Sequence, residues 1–204
     1  MRRASSLLLA AALVCWSFAS PGLPQRWRPG LKAAVGGALA LATRAPLGLR
    51  GRRLRAGSRL GAGVGLAAAG AIGVTALLAP VRRSMAARDA PASPAGWLLL
   101  RIPLGTVWAE EAAYRAALAH TASAGFGARG GRLVQATAFG LSHIPDARAA
   151  GEPVLGTLLV TGAAGWLFGW LADRSGSLAA PLLAHLAINE AGAVAALTAR
   201  RLTG

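Results

Sequence analysis

The sequence predicts an all-α fold: a polytopic transmembrane bundle of about six to seven helices with a functional site between the core helices. Of the 204 residues, 54% are hydrophobic, and the run from Leu60 to Pro80 contains no charged residue. Such a run is long enough to cross a bilayer. The longer polar stretches are arginine-bearing connectors between apolar runs, whereas helices of a soluble domain would each carry a polar face.

The apolar segments follow one another along the chain with short breaks rich in glycine and proline. They lie at about 6–20, 31–49, 59–80, 96–119, 131–145, 153–172 and 177–199. Arg44 and Pro46 interrupt the second segment, which is therefore predicted to be a half-span or an interfacial element. The fifth segment would be only about 22 Å long as a helix, so we expect it to be tilted or partly embedded among neighbouring helices.

The first segment has the features of a signal sequence, with Arg2 and Arg3 before an apolar run. We predict an uncleaved first span, because several further spans follow. The lone Cys15 cannot form an intrachain disulfide, and no Cys/His spacing of a structural zinc site is present. We divide the chain into residues 1–90, membrane segments with basic connectors, and residues 91–204, a core domain with the candidate site.

The chain carries 22 basic and 7 acidic residues, for a net charge of +15. Phosphate neutralisation would suit such a charge, but the cations lie between apolar runs and no nucleic-acid module is present. We therefore predict that the basic residues face a lipid bilayer and that the protein does not bind nucleic acid. The dense connector from Arg50 to Arg59 favours the cytoplasm, but strict alternation would then place Arg82, Arg83 and Arg88 outside. Charge alone leaves the orientation open.

Glu110 and Glu111 are adjacent acids within an otherwise apolar segment. Ionisable groups at bilayer depth cost about 2.5 to 3.5 kcal/mol each and therefore mark candidate functional sites. In a helix Glu111 and Arg115 share a face, whereas Glu110 is turned about 100° away from Glu111. One carboxylate can thus pair with the arginine while the other points elsewhere.

Two histidines in later apolar segments have a partner four residues away, on the same helix face: Phe139 with His143, and His185 with Asn189. A buried glutamate beside a histidine suits general-base activation of water, and Glu110 is the better candidate. His185 and Asn189, as hydrogen-bond donors on one helix face, suit the binding of an oxyanion.

The same set also suits a metal, because glutamate and histidine are zinc ligands and metal-bound water is a nucleophile. The metal ligands would be Glu110, Glu111, His143 and His185. The sequence leaves open whether the cofactor is zinc or none.

The three motifs together resemble the CAAX protease and bacteriocin-processing family of intramembrane endopeptidases, also called the abortive-infection family. In order they are Glu110-Glu111-x-x-x-Arg115, Phe139-x-x-x-His143 and His185-x-x-x-Asn189. Each is weak alone, but all three in order, each in its own apolar segment, make a specific match over about residues 96–199. The short chain, rich in Ala, Gly and Arg, is similar to the prokaryotic branch, which implies a multi-pass protein of the prokaryotic inner membrane.

The resemblance implies an endopeptidase of glutamate or metallo type that hydrolyses a bond in a peptide or protein substrate. It implies that Glu110 and His143 activate water and that His185 and Asn189 stabilise the oxyanion. It also implies that Arg115 orders the glutamates. We expect Phe139 to serve packing.

Two alternatives use the same buried polar cluster without hydrolysis. The first is a non-catalytic membrane protein of the same family that acts in immunity, protein maturation or partner binding. The second is a small transporter with a proton relay, which the lack of a repeat between the two halves of the chain disfavours.

Overall fold

A computed structural model describes residues 2–88 and 91–203, and this part of the chain is helical and contains no strand. Seven longer helices and two short ones follow one another. They are α1 (Arg2–Ala19), α2 (Arg28–Ala42), α3 (Gly51–Ala76), α4 (Ala79–Ala86), α5 (residues 94–126), α6 (residues 128–141), α7 (Ile144–Ala150), α8 (Val154–Ser175) and α9 (Ala179–Thr203). The predicted all-α class and helix number are confirmed.

Four helical segments are long and apolar enough to cross a membrane by length and composition: Arg2–Gly22, Gly51–Ala76, Val154–Ser175 and Ala179–Leu202. The first of them includes the 3₁₀ turn Ser20–Gly22 after α1. These segments agree with the predicted polytopic bundle. They point to an integral membrane protein.

The boundaries of α2 and α3 differ from the predicted segments. Helix α2 ends at Ala42, and Arg44 has a left-handed φ of 53°, so the predicted interruption of the second segment is confirmed. Helix α3 begins at Gly51, eight residues before the predicted start, so the basic connector is largely helical. The long aliphatic stems of its arginines can pack along the helix while the charged heads reach the interface.

Helix α5 is mostly π-helical, with wide turns over Trp97–Trp108 and Glu111–Leu118. Pro103 lies inside the first of these stretches. In an α-helix its ring would clash with the carbonyl four residues earlier, and a wider turn relieves that clash. π-Helical turns are rare and are frequent at functional sites. Here they flank Ala109 and Glu110.

The chain reverses at Gly127, whose backbone (φ 74°, ψ 169°) is open only to glycine without strain. The predicted break between the segments 96–119 and 131–145 was too long, because helix continues on both sides of this single residue. A Cβ at Gly131 would lie 2.5 Å from the backbone nitrogen of Ser123, so α5 and α6 pack closely as an antiparallel hairpin. The hairpin brings Phe139 beside Tyr114, with ring centroids 5.2 Å apart.

The helices before residue 90 pack directly on this core: α1 on α6, α2 on both π-helical stretches of α5, and α3 along α9. Small residues permit close approach. A Cβ at Gly36 of α2 would lie 2.5 Å from the carbonyl oxygen of Ala109, and one at Gly61 of α3 would lie 2.8 Å from the Cα of Ala180. The division of the chain at residue 90 stays a prediction.

Candidate active site

Glu111 is the centre of a buried ionic cluster formed by α5 and α9. Its Oε1 accepts a hydrogen bond from Nδ1 of His185 at 2.7 Å, and Nη1 of Arg115 lies 3.3 Å from the same oxygen. The side chains of Glu111 and Arg115 have no exposed surface. The predicted pairing of these two residues along one helix face is therefore present, and His185 is an additional partner.

Two phenylalanines enclose the Arg115 guanidinium, whose carbon lies 3.9 Å from the centre of the Phe139 ring and 5.0 Å from that of Phe168. Its three nitrogens have no hydrogen-bond acceptor within the described part of the chain. Cation–π attraction, worth about 2 kcal/mol or more in desolvated sites, partly offsets the free-energy cost of these missing hydrogen bonds. Phe168 also stacks on the imidazole of His185 at 4.8 Å with an interplanar angle of 22°. The sequence offered no pattern that distinguishes Phe168 from its apolar neighbours.

Glu110 lines a cavity of about 50 Å³ together with His143. Its Oε2 is buried and has no hydrogen-bond partner among the described residues. A cavity needs only about 10 to 15 Å³ to hold a water molecule, so this cavity has room for water. No direct ion pair joins Glu110 to His143 in the described part of the chain.

His143 follows α6 and is oriented by its own helix. Its Nδ1 lies 2.7 Å from the carbonyl oxygen of Phe139. A carbonyl only accepts, so Nδ1 carries the proton in this contact and Nε2 of the neutral ring is left as an acceptor. The Phe139 ring packs edge-on against the imidazole, with centroids 4.6 Å apart. Phe139 therefore fixes the ring and its tautomer, beyond the packing role that the sequence predicted.

His185 connects the cluster to the cavity. While Nδ1 binds Glu111, Nε2 lies 3.9 Å from Oε2 of Glu110. That distance is too long for a hydrogen bond, but it is short enough for each group to sense the charge of the other. The two glutamates thus have different surroundings, one within the ion cluster and the other at the cavity.

Asn189 does not join them. Its Nδ2 donates to the carbonyl oxygen of His185 at 3.1 Å, one turn earlier in α9. The residue lines a separate cavity of about 740 Å³ formed by α4, α9 and the start of α5, together with Arg88 and Trp97. The predicted pairing of His185 and Asn189 along one face exists, but the structure leaves Asn189 outside the cavity of Glu110 and His143.

The predicted alternative of a metal centre needs several donors around one point. Within residues 2–88 and 91–203, no group of three or more His, Cys, Asp or Glu side chains is placed to hold a metal ion. Glu111 Oε1 is engaged by two partners, Arg115 and His185. The donor set does not fit a zinc ion in this arrangement.

The structure adds cavity walls that the motifs do not contain. Trp16 and Ser20 come from the first helix and its 3₁₀ turn, Lys32 and Val35 come from α2, and Tyr114 comes from α5. Of these, Ser20 and Tyr114 are buried. Two of them are unique in the sequence, because Lys32 is the single lysine of the chain and Tyr114 its single tyrosine. Burial of the site thus depends on helices outside the motif-bearing segment.

Fold and site together define a polytopic helical membrane protein with an acid–histidine–arginine cluster buried beside a small cavity. A family model described as "Rce1-like: Type II CAAX prenyl endopeptidase Rce1-like" matches residues 92–191, which contain all three motifs. This match confirms, over residues 92–191, the resemblance to the CAAX protease family that the motifs predicted. Neither the curated proteins nor the solved structures that were searched contain a match to the chain.

Proposed function

We propose that this protein is an intramembrane endopeptidase that hydrolyses a peptide bond with water activated by Glu110 and His143. The matched family is one of endopeptidases, and this match is the reason for proposing the hydrolysis of a peptide bond. The observation that carries the proposal is that Glu110, from α5, and His143, from the turn after α6, line one cavity large enough for water.

In the proposed reaction, a water molecule donates one hydrogen bond to the Glu110 carboxylate and the other to Nε2 of His143. Its oxygen lone pair then attacks the carbonyl carbon of the substrate while Glu110 takes the proton. Collapse of the tetrahedral intermediate breaks the C–N bond, and the proton passes from Glu110 to the leaving amine. A positioned general base of this kind contributes about 10² to 10⁴ in rate.

Glu111, Arg115 and His185 have a supporting role in this proposal. The Arg115 charge holds Glu111, and Glu111 fixes the His185 ring through Nδ1. His185 then presents Nε2 beside Glu110, where a protonated ring would stabilise the oxyanion. The finer expectation that Asn189 is a second oxyanion donor has less support, because its amide faces the His185 carbonyl and another cavity.

The short chain, rich in Ala, Gly and Arg, favours the prokaryotic branch of the family, and we propose the inner membrane of a prokaryotic cell as its location. The substrate would be a peptide or protein segment that reaches the cavity from the bilayer or its surface.

The test is a comparison of membrane-associated peptides from cells with the wild-type protein and cells with Glu110→Ala or His143→Ala. We expect the same peptides to remain intact in both variants. Glu190→Gln is the matched control, because Glu190 is an acid of α9 that does not line the cavity. Identical peptide populations in wild-type and variant cells, with cellular function intact, would contradict the protease proposal and favour the non-catalytic alternative.

A further inference from the structure

Lys32 occupies an unusual place for a charged residue. It lies on α2 between two points at which that helix touches α5. A Cβ at Gly105 would lie 2.7 Å from Pro29, and one at Gly36 would lie 2.5 Å from the Ala109 carbonyl. Residues 29, 32 and 36 are spaced by three and four, so they share one face of the helix. Lys32 therefore lies on the packed face of α2.

The register of α2 is further held by Trp108, whose indole Nε1 donates to the carbonyl oxygen of Ala33 at 3.2 Å. Lys32 is half-buried and lines the cavity that contains Glu110 and His143. It has neither an ion-pair partner nor a hydrogen-bond partner in residues 2–88 and 91–203. A fixed helix thus carries to the cavity an ammonium that makes no direct ion pair with the described residues.

The other charged groups of the cavity explain why this ammonium matters. Glu110 and Asp146 contribute negative charge, and Lys32 is the one lysine or arginine in the lining. An anionic substrate group would be repelled from a cavity with two carboxylates alone. An ammonium on a flexible stem, with three N–H donors, can compensate that repulsion and bind a carboxylate.

We propose that Lys32 binds a carboxylate of the substrate and makes this chain selective for peptides with a negative charge near the cleaved bond. The carboxylate can be the C-terminus of the peptide or an Asp or Glu side chain. This inference rests on the proposed protease function. Lys32 lies outside the segment matched by the family model, so the family match does not assign its role.

The test uses a library of apolar eight-residue peptides made in three forms: with a free C-terminal carboxylate, with a C-terminal amide, and with a C-terminal amide plus one internal aspartate. The full-length protein in phosphatidylcholine vesicles is incubated with each form, and cleavage is followed by mass spectrometry. For wild type we expect about tenfold higher kcat/KM for a form with a carboxylate than for the uncharged amide, chiefly through KM. The two charged forms distinguish a terminal carboxylate from a side-chain one.

Lys32→Met keeps most of the aliphatic stem and removes the charge, so it should remove the preference, whereas Lys32→Arg should retain it. Equal rates of wild type on all three forms would overturn the inference, and so would an unchanged preference in Lys32→Met. A fall in kcat of equal size for every form would also overturn it, because it would place Lys32 at the reacting carbonyl. Absence of cleavage of all forms by wild type would instead count against the protease function itself. The wild-type comparison and Lys32→Arg decide the inference even if Lys32→Met does not fold.

Discussion

Replacing Arg115 by methionine should destabilise the protein strongly, because it leaves the carboxylate of Glu111 buried without its cation. Both side chains are fully buried, with Nη1 and Oε1 3.3 Å apart. Removing one partner of a buried ion pair costs about 3 to 5 kcal/mol. His185 still donates to Glu111, which favours the lower end of that range, but the loss of the contacts with Phe139 and Phe168 adds about 0.5 to 2 kcal/mol. We expect the free energy of unfolding to fall by about 3 kcal/mol or more.

The chain offers a matched control in Arg132→Met. Arg132 pairs with Asp173 at 2.7 Å and lies over the Trp166 ring, but the Asp173 side chain is half exposed, so this change should cost only about 0.5 to 2 kcal/mol. Unfolding of both variants by denaturant in detergent micelles, followed by tryptophan fluorescence, compares them directly. Combining Arg115→Met with Glu111→Gln should recover part of the loss, because no unpaired buried charge is left. If Arg115→Met and Arg132→Met were equally stable, the assignment of a buried ionic cluster would be wrong.

Two backbone predictions concern how the site is built. Gly127→Ala should lower the free energy of unfolding by about 1 to 3 kcal/mol, because the reversal between α5 and α6 needs a conformation that alanine adopts only with strain. The control Gly63→Ala, in open space on α3, should be neutral or stabilising in the same denaturant assay. Equal effects of the two substitutions on the free energy of unfolding would contradict this reasoning. Gly36→Ala should push α2 away from Ala109 and lower cleavage activity, whereas the neighbouring Gly37→Ala would meet only an ordinary contact with Trp108 and should keep it. Peptide cleavage in vesicles measures both variants, and an active Gly36→Ala protein would show that the cavity does not depend on this contact.

Hydropathy predicted the bundle and most of its spans, because apolar runs of sufficient length have few other structures available in a bilayer. It misplaced the start of α3, since arginine stems allow a helix to extend into basic sequence. It also could not identify the π-helical turns of α5, which depend on local backbone geometry around Pro103 and on packing. The reversal at a single glycine, Gly127, was likewise hidden within a glycine-rich connector.

For the site, the spacing of four residues correctly paired Glu111 with Arg115 and Phe139 with His143, because each pair spans about one helical turn. Contacts between helices were not available from spacing. The hydrogen bond from His185 to Glu111 and the position of Lys32 at the cavity depend on how the helices pack, so only the structure shows them. The roles of the motif residues in catalysis stay predictions.

The activity of Glu110→Gln tests the central claim most directly, because this change keeps the shape of the side chain and removes the carboxylate that is proposed to take the proton from water. With a peptide that wild type cleaves in vesicles, single-turnover cleavage by Glu110→Gln should fall by about 10² to 10⁴, while its unfolding matches that of wild type. Glu190→Gln should retain the wild-type rate. A folded Glu110→Gln protein that cleaves the peptide at the wild-type rate would contradict the assignment of Glu110 as the base.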